Sequence, residues 1–415
     1  MTASRDAVEP ELLDDVAGDI SFELEEINEL LAELIEWQGE RRRRDAEIVA
    51  LRLGVSGERP ETLARIGARF DLARDRVRQL HTRAVGQLLR DAQATGHRAA
   101  GVFAARYPLD ARDQGLVRAL LIETYATDTD LAANELSYLK LRLAGHAPED
   151  AKRVAGYVMQ RIMAWQKKTR RRLAKLHETE STGALSSWLS QVDWPASGAA
   201  AALPTRSART VDGDDDARGR FYLGKVGREV AFDSALEARL FQELTASEAV
   251  ETFQEEPGAV EYEIDGVRRV GYPSVVVRLR DGRVVLVDVQ PLGHVGFHVH
   301  RVRSAAARRY AHANGWGWLI WTGSRTGVAD LLGRKVDAGV ENRVREMLDS
   351  GPVFWSTLRP VLAETGMELT DFIALVLRND WRWDRAPFRL RAAGEPRAVQ
   401  TIPDRVDTAR RSPEP

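Results

Sequence analysis

Between residues 62 and 90 the chain carries two short apolar faces at helical spacing with only a turn between them. That pairing restricts the fold more than any other stretch. Leu63, Ile66 and Phe70 lie on one face of a first helix, and Val77, Leu80, Ala84 and Leu88 do the same on a second. Leu72 sits in the turn, and so short a connection leaves room only for two crossed helices sharing a small core. The outward faces hold Arg65, Arg69, Arg74, Arg76, Arg78, Arg83 and Arg90 against Asp71 and Asp75, a net charge of +5 over residues 62–90. The spacing predicts a second helix from about Ala73 to Leu89. In helix-turn-helix geometry its N-terminal half enters the major groove. Asp75, Arg78 and Gln79 share one face and Arg74 flanks it. Arg reads guanine, Gln reads adenine, and Asp accepts from the cytosine amino group. Arg65, Arg76 and Arg83 are better placed for phosphates, which position a protein without reading sequence. The plainer reading is a helical pair with a solvated arginine face.

From Ile48-Val-Ala-Leu-Arg-Leu-Gly54 to about Leu89 the order and spacing resemble region four of the sigma-70 family, the part that reads an upstream promoter element. The resemblance implies base contacts by Arg74, Asp75 and Gln79, and RNA polymerase as a further partner. The family usually has Glu where Asp75 stands, which implies a different sequence preference. No segment resembles the additional domain that a free-standing initiating sigma factor needs. The expectation is therefore a DNA-binding transcription regulator whose partner is double-stranded DNA, with a polymerase-associated accessory factor as an alternative.

The charge distribution agrees. Residues 1–40 hold thirteen acidic residues against Arg5 alone, a net −12, so the remainder carries +10 behind a total of −2. A basic body behind an acidic arm suits nucleic-acid binding. The arm reads either as a solvated acidic helix or as a segment competing with DNA for the basic face. Without cysteine there are no disulfides and no thiolate metal sites. No secretory signal and no apolar run of membrane-spanning length are visible, which predicts a cytoplasmic protein.

The expected fold class is multi-domain α and α/β, with an all-helical front half, a restriction-endonuclease-like mixed-sheet domain and a small helical cap. Residues 1–40 form the acidic arm and helix, 41–95 the helix-turn-helix domain, and 96–194 a further helical domain. Residues 195–219 read as a linker, 220–334 as the mixed-sheet domain, 335–391 as a helical or winged-helix-like module, and 392–415 as a disordered tail. Within 96–194, Leu141 to Leu176 echoes the first unit, with Pro148 opposite Pro60, Val154 opposite Ile66 and Trp165 opposite Val77. A degenerate second helix-turn-helix and a plain basic helix, carrying Lys167, Lys168, Arg170, Arg171, Arg172 and Lys175, are both open.

In the mixed-sheet domain a helix with Glu237 precedes the strand Tyr272-Pro-Ser-Val-Val-Val, an Asp281-Gly282 hairpin signal, and the strand Val285-Leu-Val-Asp-Val-Gln290. This order resembles TnsA-like transposon endonucleases and the wider PD-(D/E)xK nucleases. The resemblance implies catalytic positions at Glu237, Asp288 and Gln290, with Mg²⁺ held by carboxylates and activating a water. Two departures weaken it: Ser274 replaces the family's Asp and Gln290 its Lys. Glu237 also fits a capping box with Ser234. The expectation is an inactive domain without cofactor that grips DNA or a partner. The alternative is a Mg²⁺-dependent endonuclease of DNA mobility or defence. His294, His298 and His300, with Asp288, have the residue types for a transition-metal site, though such histidines are more often structural or phosphate-facing. Trp316, Trp318 and Trp321 alternate as core residues of a strand do.

Overall fold

The computed structural model describes residues 22–55, 57–173, 188–208, 219–324, 326–385 and 388–394. The acidic arm before Phe22, the end of the basic run at Lys175, and the tail beyond residue 394 lie outside the described residues.

The front half is helical. Helix α1 (Phe22–Leu53) bends at Arg42, inside the arginine run, where the backbone leaves helical values (φ −143°, ψ 64°). Helices α2 (Leu63–Phe70) and α3 (Arg74–Thr95) follow, then α4 (Ala99–Arg106), α5 (Asp113–Ala126), α6 (Ala133–Leu143) and α7 (Pro148–Leu173). One apolar core joins them, with Leu31 and Leu34 of α1 against Leu88, Phe103, Leu120, Leu139 and Val158.

Two expectations change here. The repeat at Leu141 to Leu176 is no second helix-turn-helix, because α7 runs unbroken through Met159-Gln160-Arg161, where the first unit turns. The first unit turns at Asp71, which takes a left-handed conformation (φ 53°, ψ 48°) that closes α2. Met159 and its neighbours are good helix formers with no such tendency. The acidic part of α1 is solvated only in part, with Glu23, Glu36 and Glu40 exposed. Glu25, Glu26 and Glu29 are buried. Arg385 donates to Glu25 (3.1 Å), Arg359 pairs with Glu26 (2.7 Å), and the Phe388 amide donates to Glu29 (2.5 Å).

Burial, reinforced by Glu33 and Glu25, pushes the Glu29 carboxyl from 4.5 up to about 7. The folded state therefore holds a proton that the unfolded chain releases, and stability falls as pH rises from 4.5 to 7. Glu29→Gln is expected to remove up to about 3 kcal/mol of that decline. Urea titrations at pH 5 and pH 8 check this, and an unchanged pH dependence in the variant counts against it.

The rear half is mixed. A hairpin of β1 (Gly219–Leu223) and β2 (Arg228–Phe232) leads to α8 (Ala235–Ala246) and β3 (Val250–Glu255). A second hairpin, β4 (Val260–Ile264) and β5 (Val267–Gly271), precedes β6 (Val275–Leu279), β7 (Val284–Val289), α9 (His298–Ala313) and β8 (Gly317–Trp321). The central sheet has the order β3-β6-β7-β8, antiparallel except for the parallel β7–β8 pair. Side-chain alternation divides its two faces. Val275, Val277, Val285 and Val287 pack towards Leu240 and Phe241 of α8, whereas Val276, Val284 and Leu286 pack towards Ala307 and Ala311 of α9. Strand β7 is buried along its whole length, hence its continuous apolar run.

Residues 195–208 are not a free linker. Asp193 pairs with Trp318 across the β8 edge, and Ala201 exchanges hydrogen bonds with Asn314 and the Trp316 indole. Residues 209–218 lie outside the described residues.

The last module holds α10 (Val328–Gly333), α11 (Ala338–Asp349), β9 (Val353–Phe354), α12 (Trp355–Thr365), α13 (Leu369–Arg378), β10 (Arg382–Asp384) and β11 (Arg389–Arg391). It is not helical throughout. Its strands form a sheet of order β10-β11-β9, so helix, strand, two helices and a hairpin follow in winged-helix order. Phe22 of α1 packs on Trp355 and Phe372 of this module. No helix among the described residues is long and apolar enough to cross a membrane.

Candidate nucleic-acid interface

Thr62 caps α2 by accepting from the Arg65 amide (3.2 Å). The turn that follows is tight, since the Leu72 amide donates to the Gly67 carbonyl (2.8 Å). Ile48 of α1, Ile66 of α2, and Val77 and Leu80 of α3 form a small core, with Leu63, Phe70 and Leu72 packed on it. This core fixes the angle between the helices and consumes one side of α3. Arg74, Asp75, Arg76, Arg78, Gln79 and Arg83 stand exposed on the other side, as does Arg65 of α2. Arg76 reaches Gln79 (3.3 Å), and Arg65 stands over the Tyr272 ring at 5.9 Å. The helix continues past the expected end at Leu89 to Thr95 and stops at left-handed Gly96.

Behind this face His81 is buried. Burial, with Arg52 nearby, draws its pKa from 6.5 down to about 4, so it is neutral at physiological pH.

The other helices offer less. Lys167, Lys168 and Arg171 are exposed on α7, without the Arg-Asp-x-x-Arg-Gln arrangement of α3. In the winged-helix-like module Phe372, Ile373, Ala374, Leu375 and Val376 of α13 are all buried, which leaves that helix no face for a groove.

The nuclease-like positions meet a different fate. Asp288 accepts from Gln290 Nε2 (2.5 Å) and Ser304 Oγ (2.9 Å), with Arg303 at 3.7 Å. Ser274 Oγ accepts from the Val289 amide (3.2 Å). Ser234 caps α8 by accepting from the Glu237 amide (3.2 Å). The Glu237 carboxylate accepts from the Asp233 amide (2.9 Å) instead of closing a capping box with Ser234, and its other oxygen accepts from Arg59 (2.6 Å). Mg²⁺ needs several oxygens converging on one point. Here the two carboxylates are turned to separate donors and the third position is a neutral serine, so the residues do not fit that ion. Among the described residues no cluster of three or more histidines and carboxylates could hold a metal.

The histidines are likewise turned to internal partners. His294 and His300 meet, with rings 5.1 Å apart, but Arg385 lies 3.4 Å from His294 and Arg303 3.3 Å from His300. Burial first, then these cations, hold both imidazoles well below their usual pKa. His298 faces Arg382 and Asp384 instead. Of the tryptophans, Trp316 and Trp321 are buried in the core.

Sequence reasoning missed Gly57, Glu58, Arg59 and Asp128, which join the front half to the rear centre. Arg59 is separated from Glu237 by 178 residues, so no local pattern marks it.

Comparison with known proteins gives one assignment: residues 42–89 match the family described as Sigma-70, region 4. No curated protein and no solved structure matches the chain.

Proposed function

We propose that this is a sequence-specific DNA-binding protein acting as a transcription regulator, with α3 as its reading helix. The observation that carries this reading is the division of α3 into a buried face of Val77, Leu80 and Ala84 and an exposed face of Arg74, Asp75, Arg78 and Gln79, inside a segment matched to a DNA-binding family. Arg65, Arg76 and Arg83 flank that face as phosphate contacts. The rear domain keeps the helix, strand, hairpin and strand order of the nuclease-like resemblance, and it serves as a non-catalytic scaffold, consistent with the commitment of Glu237, Asp288 and Gln290 to internal hydrogen bonds.

Selecting bound sequences from a random duplex library tests this directly. Arg74→Ala is expected to lower discrimination between the selected site and its single-base variants by about 1–3 kcal/mol. Equal binding of wild type and variant to every sequence removes the base-reading role. Plasmid cleavage with Mg²⁺ or Mn²⁺ that is lost in Asp288→Ala would overturn the non-catalytic assignment.

A further inference from the structure

The disagreement between the rear centre and Mg²⁺ shows what has taken the ion's place. We infer that Arg59 is the resident cation of this centre: a guanidinium on the front half's own loop fills the gap between Glu237 and the end of β7, locking reader and rear domain into one unit. Arg59 lies between α1 and α2, four residues before Leu63 begins the reader. Its Nη1 donates to Glu237 Oε1 (2.6 Å), its Nε to Asp128 Oδ2 (2.6 Å), and its Nη2 reaches the Val289 carbonyl (3.4 Å), one residue past Asp288. One side chain thus ties the reader's loop, the end of α5 and two elements of the rear domain.

The loop is also pinned immediately before that arginine. The His300 ring donates to the Gly57 carbonyl (2.5 Å), and Glu58 accepts from Arg269 (2.9 Å) and Tyr262 (3.1 Å). Gly57 sits at φ +86°, and a Cβ there would lie 3.1 Å from the Phe297 ring, so the tip of the loop admits only glycine comfortably. Beside it Asp130 is buried and held well above the usual carboxylate range by burial and by Asp128, even though the Ala235 amide donates to it. Burial alone would lower the Arg59 pKa, but Asp128, Glu237 and Asp233 outweigh it, so the charge is permanent. Unlike a metal ion, this cation cannot be chelated away, and it fixes where the reader sits.

The test uses the full chain, with hydrogen exchange as one measurement and thermal unfolding in Mn²⁺ or in EDTA as the other. The wild-type midpoint is expected to be the same in both solutions. Arg59→Gln should speed exchange about a hundredfold or more on both sides of the junction, in the first turn of α8 and at the start of α2. Arg59→Lys should restore part of that protection. If Arg59→Gln fails to fold, Glu237→Gln must give the same two-sided pattern. Exchange confined to the altered residue's own segment overturns the inference, as does a Mn²⁺-raised wild-type midpoint that Asp288→Asn abolishes. Duplex binding measured alongside keeps the questions apart: a wild type that ignores DNA sinks the proposed reader but leaves the lock standing.

Discussion

Gly67→Ala is expected to abolish duplex binding while leaving the rear domain folded. A Cβ at Gly67 would stand 2.4 Å from the Leu72 carbonyl oxygen, far inside contact distance. That oxygen belongs to the backbone and cannot rotate aside as a flexible side chain would. The Leu72 amide is already bonded to the Gly67 carbonyl (2.8 Å), so relief requires the whole turn to open. The core beneath is small, with Ile48, Ile66, Val77 and Leu80 as its buried members, and it offers little slack. Overpacking of this kind costs about 3 kcal/mol or more when backbone must move. Opening the turn also swings α3 away from α2 and removes the common register of Arg65 with Arg74, Arg78 and Gln79. Gel-shift titration beside thermal unfolding checks the result. Wild-type affinity in Gly67→Ala would show that reading does not depend on this turn.

Glu123→Gln carries the largest expected loss of stability. Glu123 of α5 is 1% exposed and accepts from Lys140 Nζ (2.7 Å), Arg106 Nε (3.0 Å) and Tyr107 Oη (2.5 Å). Burial acts to raise its pKa, but Lys140 and the hydrogen bonds outweigh it and hold the carboxyl below its ordinary value. A depressed carboxylate supports the fold above its unfolded pKa, and that support fades as pH falls through the folded value. Glutamine keeps the size and loses the charge, stranding the Lys140 ammonium, itself 6% exposed. Leaving such a partner uncompensated costs about 3–5 kcal/mol. The double change Glu123→Leu with Lys140→Met should recover much of it, because the ammonium leaves with its counter-ion. Urea unfolding of the three proteins decides the matter, and a single-variant loss below about 1 kcal/mol would mean that solvent reaches the pair.

The reader was legible because its determinants are local. Leu63, Ile66 and Phe70 announce one helix, Val77 to Leu88 the next, and Asp71 with Leu72 can only turn. At Leu141 to Leu176 the same logic leaves two readings open. The apolar period recurs there without a residue that stops a helix at Met159, so one continuous helix forms. In the rear domain Ser274 and Gln290 were readable as departures from catalysis. The junction built by Gly57, Glu58 and Arg59 was not, since these residues look like any polar turn and their partners in the rear half lie 178 to 243 residues away. Glu25 and Glu29 resembled a solvated acidic face because their neighbours in sequence give no hint of Arg385 and Phe388. Strands of two or three residues, such as β9 and β10, are too short to show a period.

The hydrogen bond from Arg385 to Glu25 spans 360 residues of chain and joins the first described helix to the end of the last module. On the ribosome that glutamate precedes its partner by 360 residues and waits, solvated, until the last module has emerged. Contacts of such long range slow folding, because the loop must close before they can contribute. The contacts of Phe22, Glu25 and Glu29 with the last module thus form late, whereas Leu31 and Leu34 of the same helix can pack within the front half beforehand.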